Sequence, residues 1–141
     1  VLGVAQAYID DAVFAPLKTG KVAASYPALF DTGLKAAATG TDEAALTDLA
    51  VGKVTGLSTV ATPVHLSALE GTLGDLLYVA TTFDLTIKGT GGTGRLGIKR
   101  HVELTFAKTG SKWHITAYRV QAVRKSAAGT TTTTAKGGAT P

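Results

Sequence analysis

The sequence predicts an α+β domain in which N-terminal helices cover a strongly curved, four-stranded antiparallel meander sheet shaped as a half-cone. Three observations carry this. Apolar residues recur at helical spacing up to Gly52; from Val54 onward Val and Thr dominate and the period changes to strict alternation; and Arg100 to Val123 reads as a hairpin around Thr109-Gly110-Ser111, with glycine where a tight turn wants positive φ.

The chain has 141 residues, enough for one domain to bury a core without disulfides or a metal. It has no cysteine, which excludes a disulfide framework, a thiolate metal site and a cysteine nucleophile. No apolar run approaches the roughly 18 residues of a membrane span. The first residue is Val1 rather than methionine, which reads as a processed chain or a piece of a longer one. A signal peptide or anchor upstream of it is left open.

Taken in order, Val1 to about Leu17 is expected as a helix, with Val4, Tyr8, Val13 or Ala12, and Leu17 inward and Asp10 and Asp11 outward. Thr19-Gly20 stops it. A second helix is expected from about Tyr26 to Ala38, with Pro27 in its first turn and Leu29, Phe30 and Leu34 as anchors. A third, short one follows Thr41 as N-cap and runs through Ala50. Strands are expected at about 57–69, 77–88, 97–108 and 112–124. The glycine-rich link GTGGTGR is not a phosphate loop, because no helix follows it. This places one domain at residues 1–125, followed by a disordered Thr/Ala/Gly-rich tail or linker over 126–141.

Strand parity sorts the residues into two faces. Val60, Thr62, Val64, Leu66, Val79, Thr81, Phe83, Leu85, Ile87, Ile98, Val102, Leu104, Phe106, Trp113, Ile115 and Ala117 share the expected buried face. Tyr118, Val120 and Ala122 have the opposite parity to Trp113, Ile115 and Ala117, so a bulge near Ala117 is expected to curve the strand. The other face collects all three histidines, His65, His101 and His114, with Asp84 and Glu103. Imidazoles and carboxylates suit a metal or acid–base site, but no metal-ligand spacing is present. We therefore expect no metal, no other cofactor and no catalytic set, and read this face as a solvated surface or a contact with a partner.

Arg100 breaks the buried pattern, since it shares parity with Ile98 and Val102. A buried arginine must be paired, and Asp10, Asp11 and Asp31 on the helices are the expected partners. In a pocket between helices and sheet, Arg100 would hold an anionic ligand, with Tyr8, Phe30, Phe83 and Asp31 as the remaining site residues. Otherwise its stem packs and its head reaches water.

Charge is unevenly divided. Residues 1–87 carry four Lys/Arg and nine Asp/Glu (−5), residues 88–141 ten and one (+9), and no acid follows Glu103. This suits a solvated basic edge or a weak attraction to an anionic surface; nucleic acid is disfavoured, because no nucleic-acid module or basic–aromatic repeat is present.

The order of helices, then a bent antiparallel sheet closing in GSKWHITAYRV, resembles the nuclear transport factor two-like (cystatin-like α+β cone) superfamily. APLKTGK near Lys18 and PVHLSAL near His65 resemble segments of uncharacterised secreted or membrane-anchored bacterial members. The resemblance implies a cone whose interior holds a ligand or, in ketosteroid-isomerase-like members, an Asp base and an oxyanion hole. Here the inward sheet positions carry no Asp, Glu or His. The expected function is therefore a non-catalytic, extracytoplasmic protein-interaction or assembly module, acting on a protein partner or as a homodimer through the open sheet face. The alternatives are a carrier or sensor of a small amphiphilic anionic ligand in the cone, and an isomerase- or dehydratase-like enzyme using Tyr8 and Asp31.

Overall fold

A computed structural model of the chain describes residues 2–63, 65–70, 77–92 and 94–138. The first helical segment is one continuous run in three parts: α1 (Leu2–Tyr8), a π-helical turn (Ile9–Phe14) and α2 (Ala15–Thr19). Pro16 explains the wide turn. Its ring crowds the preceding carbonyls, and the ladder responds by widening, with the Ala15 N–H donating to the Asp10 carbonyl. Gly20, at φ 78°, ends the helix in the left-handed conformation that a side chain would oppose.

The expected second helix is shorter and broken. Tyr26–Leu29 and Thr32–Leu34 are 3-10 turns, and only Lys35–Ala38 (α3) is α-helical. Between the two turns Phe30 is extended, and the Asp31 N–H reaches the Ile115 carbonyl at 2.8 Å, so a bond to the sheet replaces helix continuation. The third helix, α4 (Glu43–Leu46), stops before Ala50 because Thr47 is extended. Its N-cap is Asp42, not Thr41. The Asp42 carboxylate accepts from the Tyr118 hydroxyl instead of capping the helix.

Among the described residues the sheet has six strands where four were expected: β1 (Thr55–Ala61), β2 (His65–Glu70), β3 (Leu77–Gly91), β4 (Gly94–Thr109), β5 (Lys112–Ser126) and β6 (Gly129–Gly138). It is antiparallel, curled and unclosed, in the order β1-β3-β4-β5-β6, with β2 also on β3. The two extra strands have separate causes. The expected strand 57–69 is interrupted at Thr62-Pro63, where proline cannot continue a ladder; β1 and β2 then share one edge of β3. The second extra strand is β6, which replaces the expected disordered tail and extends the folded unit beyond residue 125 to at least Gly138. It pairs with β5 from Ser126↔Gly129 to Ala117↔Gly138. Five consecutive threonines are good strand formers, and one neighbouring strand with open positions outweighs their low hydrophobicity.

The core lies between the helices and one sheet face. Tyr8, Ala12, Val13 and Leu17 pack there with Phe83, Ile98, Val102, Leu104, Phe106, Ile115 and Val120, all buried. Tyr26, Phe30 and Tyr118 form an edge-to-face chain with centroids 5.1 and 5.9 Å apart. The expected bulge is present: Thr105 faces Ala117 and Phe106 faces Ile115, leaving Thr116 as the extra residue and both Ala117 and Tyr118 buried. Gly137 lies against the Tyr118 ring, where a Cβ would come within 2.5 Å of Cζ, so only glycine lets β6 close over it. At the far edge the expected burial fails. Val60 is 72% and Leu66 50% exposed, because the interruption at Pro63 puts them on opposite faces and the helical cover stops short of them. Trp113 is half-buried, Thr62 is exposed, and Val64 lies outside the described residues.

Candidate functional site

Three of the buried polar side chains, Tyr8, Arg100 and Arg124, converge on one short segment, residues 44–48, where α4 ends. Arg100 lies mid-strand in β4, opposite Leu85 and Ala122, and is 1% exposed. Its Nη2 donates to Asp48 Oδ1 at 2.6 Å and its Nη1 to the Ala45 carbonyl. Arg124, on the same face of β5, donates Nε to Asp48 Oδ1 at 3.0 Å and Nη2 to the Ala44 and Thr47 carbonyls at 3.0 and 2.9 Å. Its Nη1 reaches Thr133 Oγ1 on β6 at 2.7 Å. The Tyr8 hydroxyl donates to the Leu46 carbonyl at 2.6 Å.

Four successive carbonyls are thus held by side chains from α1, β4 and β5. Such carbonyls have no intrahelical partner at a helix end and carry partial negative charge. Together with the Asp48 carboxylate they balance two buried guanidinium groups. Burial works against the Arg100 charge, but Asp48 and Tyr8 more than offset it, and the Arg100 pKa is held above its ordinary value. Asp48 Oδ2 and Arg100 Nε have no protein partner among the described residues, and both are sealed from the surface.

The expected partners of Arg100 are placed elsewhere. Asp10 accepts from Gln6 at 3.0 Å and Asp11 from Ser25 at 2.6 Å, both on the exposed helix side, and Asp31 is exposed. Of the expected site residues, Arg100 and Tyr8 come together around residues 45–48. Phe30 and Phe83, at 0% and 2% exposure, are filled core, and Asp31 does not reach them. Asp48 and Arg124 went unmarked in the sequence. Arg124 had a signal, since it continues the inward parity of Tyr118, Val120 and Ala122. Asp48 had none, because it follows a helix that ends four residues earlier than its sequence suggests.

Three tyrosines report on this interior. Burial, tempered by the Arg100 charge and reinforced by Asp48, pushes the Tyr8 pKa up to about 12. Burial also raises Tyr26, and burial with the Asp42 hydrogen bond raises Tyr118. A raised folded-state pKa means that the neutral phenol is favoured on folding. That contribution is complete below the unfolded value near 10 and is lost as pH climbs towards 12. We expect stability to hold to about pH 9 and to fall steeply above about pH 10. Tyrosinate absorbance and far-UV circular dichroism followed together should show ionisation of these phenols coinciding with unfolding; their ionisation near pH 10 in a still-folded protein would refute the burial.

On the open face, His101 Nδ1 lies 2.6 Å from Asp84 Oδ1 and its Nε2 4.0 Å from Glu103 Oε1, while Arg119 Nε lies 3.8 Å from Glu103 Oε2. These side chains are about half exposed. His65 sits on β2 opposite Thr82, and His114 opposite Ala107, so the three imidazoles belong to different rows of the sheet. Among the described residues no group of three His, Cys, Asp or Glu side chains is placed to hold a metal. Nor is any helix among them long and apolar enough to cross a membrane.

What fold and interior define together is an α+β domain whose buried Arg100 and Arg124 share Asp48 and divide the carbonyls of Ala44, Ala45 and Thr47 between them. Compared with protein-family models, curated proteins and solved structures, the chain matches none of them.

Proposed function

We propose that this chain is a non-catalytic, extracytoplasmic protein-interaction or assembly module, with its contacts on the open sheet face. The observation that carries this is where the polar chemistry goes. The ionisable groups inside are bound to the backbone and to one another, whereas the surface groups sit in rows across an uncovered sheet. The carrier and enzyme readings need room around Arg100 and Tyr8, and packing at 1% and 0% exposure gives them nothing to rest on. Helices followed by a curled antiparallel sheet support membership of the nuclear transport factor two-like superfamily, many of whose members bind or assemble without catalysis. The compartment rests on the likeness of APLKTGK and PVHLSAL to segments of secreted or anchored proteins.

A photo-crosslinking residue placed at the exposed Gln121, on the open face, tests the reading in the source cells. It should trap one discrete protein, or a second copy of this chain, and the same probe at Lys18 on the helix side should not. No adduct, or the same adducts from both positions, would contradict the proposal.

A further inference from the structure

The two edges of the sheet are built differently. Along the β1/β2 edge the strand is irregular between Thr55 and Ser58 and is interrupted at Thr62-Pro63, both of which blunt it against a further strand. The β6 edge has no such device. Over Thr130–Gly137 it contains no proline and no acid, and its register with β5 is unbroken from Gly129 to Gly138. Among the described residues β6 pairs with β5 alone, and Thr130, Thr131, Thr132, Thr134 and Lys136 are exposed.

Charge selects the occupant. The register puts Arg119 beside Lys136 and Lys125 beside Thr130 on the open face. A second copy laid antiparallel on β6 and centred on Thr133 would set its own Lys136 opposite Thr130, two strands from Lys125, and so would gain no opposite charge on the open face. A strand carrying acids on the open-face side meets Lys136 and Arg119 with the opposite sign. No carboxylate lies on β5 or β6, and the last acid in the chain, Glu103 on β4, already lies 3.8 Å from Arg119, so Lys136 is the main cation offered to the partner strand.

We propose that β6 is a docking edge for an extended acidic segment of another protein, which adds as a seventh strand. This rests on the protein-interaction reading above and names the surface and partner chemistry. The backbone supplies affinity through ladder hydrogen bonds, and the cations select an acidic strand over a basic one.

Thr132 provides the test. In a hairpin closed by the pair Ser126↔Gly129, hydrogen-bonded pairs alternate, so Thr132 falls in a non-bonded pair and directs its N–H away from β5. Thr132→Pro therefore removes a donor from the free edge and keeps the β5 ladder; circular dichroism and the thermal midpoint check that the variant folds. A short capped peptide alternating glutamate with valine should bind the wild type saturably, with amide shifts centred on Thr130–Lys136. Binding should weaken about tenfold or more in Thr132→Pro, and the lysine analogue should not bind. No saturable binding, equal binding to folded Thr132→Pro, or a dimer joined through β6 in sedimentation and cross-linking would overturn the proposal. If Thr132→Pro fails to fold, N-methylation of the peptide's alternate amides replaces it, and undiminished binding by that peptide overturns the edge mode. A Gln121 adduct that persists in Thr132→Pro leaves the interaction reading standing and this edge refuted.

Discussion

Asp48→Ala is expected to destabilise the protein by about 3–5 kcal/mol, because it strands two buried guanidinium groups that share one carboxylate oxygen. That is a large part of the 5–15 kcal/mol typical of a domain, so the variant should be marginally folded at room temperature. Chemical denaturation with the transition followed by tryptophan fluorescence reads this directly. Asp48→Asn should retain part of the loss, since an amide oxygen still accepts but no longer balances charge. A surface carboxylate such as Glu103, in long contacts and half exposed, should give about 0–1 kcal/mol by the same assay.

The second large effect concerns β6. A chain ending at Ser126 is expected to lose more than about 4 kcal/mol or to fail to fold, because removal of β6 uncovers several structural groups at once. Ala135 leaves the core, Tyr118 loses the Gly137 backbone lying against its ring, and Arg124 loses Thr133 and part of its cover. The strand β5, now an edge, would expose its ladder. Differential scanning calorimetry on the two lengths decides it. Equal midpoints would mean that residues 127–141 behave as the detached tail that composition alone predicts.

Those residues show where a sequence reading stops. Alternation identified β3, β4 and β5 to within a few residues, because each has one buried and one open face and its apolar positions repeat with period two. The same test cannot see β6, whose buried contacts are made by Ala135 and by threonine and glycine, residues also typical of linkers. Strand β2 suffered a different error. The run from Leu57 to Leu69 looks continuous, and the consequence of Pro63 for parity emerges only once both halves are paired with β3. Helix lengths were overestimated wherever a contact with the sheet competes with the local helix, as at Phe30 and Thr47.

The site was half legible. Parity placed Arg100 inside, and burial required a partner, yet the partner came from a segment with no periodic signal. A carboxylate fixed by tertiary contacts leaves no pattern in its neighbours. The eventual arrangement is also of a different kind from the one expected: the arginine holds residues 44–48 onto the sheet, with its donors directed to Asp48 and the Ala45 carbonyl rather than to a cavity.

Whether the interior is committed to structure is tested most directly by a double-mutant cycle between Arg100 and Asp48, using Arg100→Met and Asp48→Leu and reading unfolding free energies. The structure predicts a coupling of about 2–3 kcal/mol, with the double variant more stable than Asp48→Leu alone. A coupling near zero would show that the two side chains do not hold each other, and that Arg100 is free for another role.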